Sequence, residues 1–142
     1  MKLVIDIGNT AVKLALFEEK ELLRTIRFEE CSLPNIRNFI TKQDIKKTIL
    51  CSVRKFDNEI QEIIKEYKAF VVNEKTPIPV KIIYKNPENL GVDRIANVVA
   101  ASIIYSNKNF LVFDFGSCLT VDFIKSSNKY IGGRISPGLK MR

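Results

Sequence analysis

The chain has 142 residues, a formal net charge of +7, and a hydrophobic content of 46%. This length corresponds to about one domain of ~100–200 residues, and the apolar content is too high for a disordered chain. Apolar runs near the ~20 residues of a membrane span are absent and no signal-peptide pattern is present, so we expect a soluble, cytoplasmic protein without a membrane partner. The basic residues are scattered through amphipathic segments, which argues against nucleic acid as a partner.

The residue types restrict the chemistry that the chain can perform. Histidine is absent and there are three cysteines, so acid–base catalysis falls to Asp, Glu, Lys or Tyr. A metal ion would be a hard cation bound by oxygen atoms, such as Mg²⁺ or K⁺. Cys31, Cys51 and Cys118 are far apart and odd in number, as expected for reduced thiols.

The first part of the chain predicts a β-meander followed by alternating helices and strands. In chain order, the predicted elements are strands at 2–7, 12–17 and 22–28, a helix at 33–40, a strand at 48–53, a helix at 56–67 and a strand at 69–72. This order is typical of an α/β fold whose sheet contains both antiparallel and parallel strands.

The second part of the chain predicts that the meander starts again. The predicted elements are an extended segment at 76–84, a turn-rich segment at 85–91, a helix at 92–105, a strand at 110–113, a turn at 114–116, and strands at 120–125 and 130–135. The sequence therefore predicts a duplicated domain, with residues 1–105 as the first copy and residues 106–142 as the beginning of an incomplete second copy.

The repeat is carried by two segments, LVIDIGNT at 3–10 and LVFDFGSCLT at 111–120. Each runs from apolar residues into Asp-x-Gly and then into small polar residues. Glycine lets the backbone approach a phosphate, Thr and Asn add hydrogen-bond donors, and Asp can hold a cation against the phosphate. One such segment alone would equally fit an ordinary hairpin turn, but two copies favour a nucleotide held from two sides. The P-loop pattern is absent.

The duplicated segments resemble the superfamily of acetate and sugar kinases, heat-shock proteins and actin. This resemblance implies a ribonuclease H-like, actin-like ATPase domain with a mixed sheet. Type III pantothenate kinases resemble the chain more closely, through DIGNT at 6–10, YKNPENLGVDRIANVVAA at 84–101, DFGSCLT at 114–120 and GGRISPGLKMR at 132–142. The family's chain continues well past the last of these stretches, so the resemblance implies a chain truncated after the start of its second domain.

The resemblance also assigns roles to individual residues. Asp93 matches the catalytic base and Asp114 the ligand of a monovalent cation, K⁺ or NH₄⁺. The ATP-binding residues would be Asp6, Ile7, Gly8, Asn9, Thr10, Ala11, Val12, Lys13 and Ser117. The pantothenate-binding residues would be Tyr84, Gly91, Val92, Asp93 and Arg94. The implied reaction is phosphorylation of pantothenate by ATP with Mg²⁺, the first step of coenzyme A biosynthesis, in a homodimer.

The chemistry of these residues agrees with that role. Phosphoryl transfer to a primary hydroxyl needs positioning, charge neutralisation and an acceptor for the hydroxyl proton. Without histidine, a carboxylate has to accept the proton, and Asp93 beside Arg94 could orient the alcohol while Arg94 binds an anionic substrate. The plainer interpretations are that Asp93 is a helix-start carboxylate, Tyr84 a sheet-edge aromatic residue and Asp6 a turn cap.

Other functions stay open at this point. The chain departs from the family at Ser117, where Thr is usual, and at Leu119, which is bulkier than the family's residue. A non-catalytic ligand-binding or regulatory protein similar to the family's accessory factors is one alternative, and an inactive fragment is another. A kinase that acts on a sugar or acetate is less consistent with the GVDR stretch at 91–94.

Overall fold

The computed structural model describes residues 1–84 and 89–141 and divides into two compact units, Met1–Asn73 and Glu74–Arg142. Part of the predicted turn-rich segment, 85–88, lies outside the described residues. The division falls before the predicted helix at 92–105, whereas the sequence placed the domain boundary after it. The reason is that this helix packs through Ile95 and Val98 on the strands that follow it. The domain limits 1–105 and 106–142 remain a prediction about the duplication.

The first unit is a five-stranded mixed sheet with two helices. Its elements are β1 (Lys2–Ile7), β2 (Val12–Glu18), β3 (Glu21–Phe28), α1 (Leu33–Phe39), β4 (Lys47–Ser52), α2 (Asn58–Glu66) and β5 (Phe70–Val71). The strand order is β3-β2-β1-β4-β5, with an antiparallel meander on one side of β1 and parallel strands on the other. The predicted meander and its alternating helices and strands are therefore confirmed.

The core of the first unit lies between one face of this sheet and the two helices. Leu3, Ile5 and Ile7 of β1 are 0% exposed, as expected for alternate residues on the covered face of a strand. The helices contribute Ile36 and Ile63 to the same cluster. Both helices begin where the sequence offers a cap, since the Ser32 and Asp57 side chains accept backbone hydrogen bonds from their first turns.

The second unit is a four-stranded sheet with one long helix. Its elements are β6 (Lys81–Ile82), α3 (Val92–Ile104), β7 (Phe110–Phe115), β8 (Cys118–Lys125), β9 (Lys129–Pro137) and a short 3-10 helix (Leu139–Met141). The strand order is β6-β9-β8-β7, with β7, β8 and β9 antiparallel and β6 parallel to β9. Across the described ranges, no helix is long and apolar enough to cross a membrane.

The predicted turn at 114–116 is wrong. Asp114 and Phe115 pair with Thr120 and Leu119 in the β7–β8 ladder, so β7 continues through both residues. The turn itself consists of Gly116 and Ser117. As a result, the Asp114 side chain is fixed by a strand and not by a loop.

The first two strands of each meander pair in an equivalent register. In the first unit, Leu3, Ile5 and Ile7 lie opposite Leu16, Leu14 and Val12. In the second unit, Leu111, Phe113 and Phe115 lie opposite Phe123, Val121 and Leu119. Six apolar residues thus occupy equivalent places on the same face of each sheet, which confirms the predicted duplication.

The equivalent faces differ in exposure. The three β1 residues are 0% exposed, whereas Leu111, Phe113 and Phe115 are 54%, 54% and 72% exposed. Helices α1 and α2 cover the face in the first unit. In the described part of the second unit, α3 covers the opposite face, where Ile124 and Tyr130 join its core. One apolar face of the second sheet is therefore left uncovered by the described residues of its own unit.

Equivalent substitutions should have unequal effects on the two sheets. We expect Ile5→Asp to lower the free energy of unfolding by more than about 4 kcal/mol, because it buries an unpaired charge. Phe113→Asp at the matching position should change it by less than about 1 kcal/mol, because the new carboxylate stays in water. Urea denaturation of both variants measures the difference. Equal destabilisation by the two substitutions would show that the face at Phe113 is covered.

Candidate functional site

The first Asp-x-Gly segment forms a tight loop between β1 and β2. The Gly8 N–H donates to the Ala11 carbonyl at 2.9 Å and closes the turn. A Cβ atom at position 8 would lie 3.2 Å from the same carbonyl oxygen, a tight contact that a side chain could adopt only if the Ala11 carbonyl shifted. Asn9 and Thr10 are exposed at the tip. The loop therefore presents its polar residues outward.

Asp6 and Lys13 face each other at the base of this loop. They are direct partners in the β1–β2 register, and Lys13 Nζ lies 3.4 Å from Asp6 Oδ2. The side chains are 35% and 62% exposed, so solvent screens the pair and it contributes little to stability. The structure thus brings together both ends of the predicted ATP loop, with one charge of each sign.

Arg54 contacts the first loop and was missed by the sequence analysis. It follows β4, whose parallel pairing with β1 places the carboxyl ends of both strands at the same edge. Arg54 Nε donates to the Gly8 carbonyl at 2.6 Å, and Nη2 donates to the Asn9 carbonyl at 3.1 Å. The rule that ligands bind at the carboxyl ends of parallel strands was the signal that could have found it.

Asp93 lies in the first turn of α3, where the helix dipole favours a carboxylate. Its Oδ1 accepts a hydrogen bond from the Arg94 backbone N–H at 2.9 Å. A Cβ atom at position 91 would overlap this carboxylate oxygen, so Gly91 leaves room for the Asp93 side chain to turn back over the helix start. The local sequence Gly-Val-Asp therefore determines where the carboxylate lies.

The Arg94 side chain is buried with its charge paired inside the unit. Arg94 is 5% and Asp122 1% exposed, and Arg94 Nη2 lies 2.5 Å from Asp122 Oδ1. Arg94 Nη2 also donates to the Tyr130 hydroxyl at 3.0 Å, and that hydroxyl donates to Asp122 Oδ1 at 2.6 Å. The guanidinium that was predicted to bind an anionic substrate is thus occupied by a carboxylate of β8.

This buried group alters the acidity of its members. Burial by itself lowers the pKa of Arg94, but the hydrogen bond and charge of Asp122 outweigh it and raise the pKa overall. Burial also raises the pKa of the Tyr130 hydroxyl, and the hydrogen bond to Asp122 raises it further. Arg94 therefore stays charged and Tyr130 stays neutral across the physiological range.

Asp114 faces α3 from the end of β7. Asn97, one helical turn after Asp93, donates through Nδ2 to Asp114 Oδ2 at 3.0 Å. Thr120 is the register partner of Asp114 and is 7% exposed. Within residues 1–84 and 89–141, its Oγ1 finds no hydrogen-bond partner. Neither Asn97 nor Thr120 is among the predicted site residues, although both lie beside the predicted cation ligand.

The second glycine turn contacts the segment around Gly138. The Gly138 N–H donates to the Ser117 carbonyl at 3.0 Å, and the Gly116 N–H donates to the Cys118 carbonyl at 2.9 Å. A Cβ atom at position 138 would overlap the carbonyl oxygens of Ser117 and Gly116. The two backbones can approach this closely only because position 138 has no side chain.

Tyr84 packs on β9. Its ring lies 6.3 Å from the ring of Tyr130, centroid to centroid, and 3.0 Å from the place of a Cβ atom at Gly132. Gly132 has φ +133°, a backbone conformation that other residues rarely adopt. Tyr130 therefore lies between Tyr84 and Arg94, since its ring is near the Tyr84 ring and its hydroxyl accepts a hydrogen bond from Arg94.

The predicted site residues fall into one set in each unit. Residues 6–13 form the loop of the first unit. The second unit holds Tyr84, residues 91–94, Asp114 and Ser117. Within this unit, Asn97 connects α3 to Asp114 of β7. Tyr130 connects Arg94 of α3 to Tyr84.

Solved structures define the class of fold. The ethanolamine utilization protein EutJ from Carboxydothermus hydrogenoformans aligns with a TM-score of 0.56 at 10% identity, covering 96% of this chain and 52% of that chain. A conserved putative Baf family transcriptional activator from Campylobacter jejuni aligns with a TM-score of 0.54 at 24% identity, covering 97% and 55%. The predicted actin-like ATPase fold is confirmed.

Sequence comparison defines the family. The family model of type III pantothenate kinase matches residues 2–142. The type III pantothenate kinase of Phocaeicola vulgatus is 39% identical over 144 residues, and that of Christiangramia forsetii is 39% identical over 145. The chain belongs to the type III pantothenate kinase family, as its motifs indicated. It is matched along its whole length and spans 60% of each of these curated relatives.

Removal of one member of the buried ion pair should cost far more than replacement of both. We expect Asp122→Ala to lower the free energy of unfolding by about 3–5 kcal/mol, because Arg94 is left buried without a counter-charge. Arg94→Met combined with Asp122→Leu should cost much less, because no charge then remains buried. Guanidinium denaturation measures both.

The control for this experiment is Arg37→Ala. It breaks the exposed pair between Arg37 and Glu66, and we expect a much smaller effect. A single Asp122 variant as stable as the double variant would contradict the buried charge pair.

Proposed function

We propose that this chain carries the ATP- and pantothenate-binding residues of a type III pantothenate kinase. The enzyme would transfer the γ-phosphoryl group of ATP to the primary hydroxyl of pantothenate and form 4′-phosphopantothenate, the first step of coenzyme A biosynthesis. The observation that carries the proposal is the position of Asp93. In a chain of this family, its carboxylate is fixed at the start of α3 by Gly91 and the Arg94 N–H.

Asp93 is the proposed general base. Its Oδ1 is engaged by the Arg94 N–H, so Oδ2 is the oxygen that would accept the hydroxyl proton of pantothenate. The alcohol oxygen would then form a bond to the γ-phosphorus of ATP while the bond to the β–γ bridging oxygen breaks and ADP leaves. Positioning and charge neutralisation supply most of the rate in such transfers, which fits a carboxylate held in place at the start of a helix.

The buried and the exposed residues of the predicted ATP loop would have different roles. Ile7, Ala11 and Val12 are 0%, 6% and 1% exposed, so they would act through the backbone and hold the loop in place. Asn9, Thr10 and Lys13 are exposed and would contact the phosphate chain. Mg²⁺ would enter with the nucleotide, near the Asp6 carboxylate, and neutralise phosphate charge. Ser117 would contribute the second contact to ATP.

Arg94 would act as a positioning residue for substrate. Its guanidinium is paired with Asp122, so its effect on pantothenate would pass through the backbone of Gly91–Arg94 that it holds against β8. Val92 and Tyr84 would complete the pantothenate surface beside this segment.

A monovalent cation would fit beside Asp114. In the first copy, the residue opposite Asp6 is Lys13, which supplies a positive charge. At the equivalent place opposite Asp114 stands Thr120, a neutral residue whose buried hydroxyl lacks a partner in the described part of the chain. Carboxylate and hydroxyl oxygens could coordinate K⁺ or accept hydrogen bonds from NH₄⁺ here. The cation would supply the charge that Lys13 supplies in the first copy.

Thr120→Val tests this cation site, because it removes the hydroxyl and keeps the shape. For the parent chain, we expect KCl to raise the thermal unfolding midpoint relative to equimolar choline chloride. The variant should lose this difference and be at least as stable as the parent in choline, because an unpaired buried hydroxyl is gone.

Thr48→Val is the matched control for Thr120→Val. Thr48 is the other described residue whose buried side-chain oxygen has no partner, and it lies in the first unit. We expect it to keep the response to KCl. A Thr120→Val chain with the parental response would show that the hydroxyl does not bind the cation.

Asp93→Asn tests the base. Asparagine retains an oxygen that can accept the Arg94 N–H, so the helix start and ATP affinity should persist while turnover falls at least 10²-fold. Mass spectrometry of 4′-phosphopantothenate, after incubation with ATP, Mg²⁺, K⁺ and pantothenate, measures the product. Glu62→Gln on the exposed side of α2 is the control, with parental turnover expected. Unreduced turnover in Asp93→Asn would remove Asp93 from this role.

A non-catalytic nucleotide-binding protein on the same scaffold is the second candidate. The observation that favours it is the second glycine turn, where Ser117 and Leu119 depart from the residues that are usual in the family. Binding of ATP or pantothenate by the parent chain without product would support this function. Phosphorylation of a sugar or acetate in a substrate panel would instead move the chain to another branch of the superfamily. The homodimer implied by the family would be measured by light scattering.

A further inference from the structure

We infer that Arg54 is a positioning residue of the first phosphate loop, whose guanidinium orients the backbone of Gly8 and Asn9 for a phosphate group of the nucleotide. The inference rests on the proposed binding of ATP by residues 6–13. Arg54 lies outside that segment and is separated from Gly8 by 46 positions in sequence.

Two hydrogen bonds fix two consecutive peptide planes. Arg54 Nε donates to the Gly8 carbonyl at 2.6 Å, and Nη2 donates to the Asn9 carbonyl at 3.1 Å. The described chain contains no cis peptide bond. In a trans peptide the N–H points away from the C=O of the same plane, so the Asn9 N–H is directed to the side opposite Arg54. The second bond fixes the orientation of the following peptide plane in the same way.

This orientation is the one that a phosphate requires. Loops that bind phosphate present backbone N–H groups on one side, and they lose affinity if a peptide flips and presents its carbonyl oxygen. The Gly8 N–H is already used inside the turn by the Ala11 carbonyl. A glycine peptide is the easiest to flip, because glycine has the widest range of φ and ψ. Arg54 thus restrains the loop at its most flexible point.

The backbone of Arg54 is itself held in place. The Ser52 hydroxyl accepts a hydrogen bond from the Arg54 N–H and donates one to the Arg54 carbonyl, both at 3.1 Å. The Val53 N–H donates to the Ile7 carbonyl at 3.0 Å and extends the pairing of β4 with β1. The guanidinium therefore starts from a backbone that is fixed relative to the loop, and its side chain is half-buried.

The charge of Arg54 adds to its geometric role. Lys13 lies opposite Asp6, and Arg94 is paired with Asp122. Arg54 donates to neutral carbonyl oxygens, and among the described residues it forms no ion pair. A positive charge behind the loop would add electrostatic attraction for a phosphate bound on the other side. The planar guanidinium suits this place, because lysine cannot donate in two fixed directions.

The affinity of the 142-residue chain for nucleotides tests the inference. Isothermal titration calorimetry with MgATP and with adenosine would compare the parent, Arg54→Ala, Arg54→Lys and Lys55→Ala. Lys55→Ala is the matched control, because it removes one positive charge from the adjacent exposed residue. We expect Arg54→Ala to weaken MgATP binding at least about tenfold, with Arg54→Lys between it and the parent. Lys55→Ala should change it less than about twofold, and adenosine should bind all four chains alike.

A second readout follows the loop without ligand. The backbone amide resonances of Gly8, Asn9 and Thr10 in ¹⁵N–¹H spectra should move in Arg54→Ala and Arg54→Lys, while those of β5 and α2 stay in place. A purely structural role would instead disturb the whole unit and weaken adenosine and MgATP equally. If Arg54→Ala does not fold, Arg54→Lys decides, because it keeps the charge and loses the two fixed directions.

The outcomes separate this inference from the function on which it rests. A parent chain that binds no MgATP would overturn the proposed nucleotide binding and this inference together. A parent that binds MgATP, with Arg54→Ala and Arg54→Lys binding as tightly and with unmoved loop resonances, would overturn the role of Arg54 alone. A selective loss of MgATP affinity with shifted loop resonances would establish it.

Discussion

The buried pair of Arg94 and Asp122 is the interaction on which the second unit depends. Two opposite charges removed from water are stable only if each satisfies the other, so the pair sets a single distance between the first turn of α3 and β8. That distance places Asp93 on one side of the helix start. It also lets Asn97, one turn later, reach Asp114. Asp93, the proposed proton acceptor, and Asp114, the proposed cation ligand, are thus fixed relative to each other by a contact that neither of them makes.

The two copies surround equivalent aspartates with different residues. Each copy has an aspartate one residue before the end of its first strand. The first copy has Lys13 opposite its aspartate and Arg54 behind its loop. The second copy has Thr120 and Asn97, which are neutral. Duplication thus preserved the backbone register while the charges around the two aspartates diverged.

Local sequence patterns predicted most of the elements, because apolar spacing, caps and glycine turns act over a few residues. The meander at 2–28 and the long helix starting at Val92 followed directly from such patterns. Arg54, Asn97 and Asp122 could not be found this way, since their partners lie 46, 17 and 28 positions away in the chain. The prediction of a turn at 114–116 was wrong for the same reason. Pairing with β8 extends β7 past the point where its own composition suggests an end.

The open apolar face of the second sheet makes the behaviour of this chain in solution a balance of two forces. Leu111, Phe113 and Phe115 favour contact between molecules, whereas the net charge of +7 drives molecules apart. Repulsion acts over the Debye length, which shrinks from about 30 Å at 0.01 M salt to about 8 Å at physiological ionic strength. Apolar attraction needs contact and does not weaken with added salt. Colloidal stability should therefore be greatest in dilute buffer, and concentrated salt should favour association of molecules through the apolar face of the second sheet.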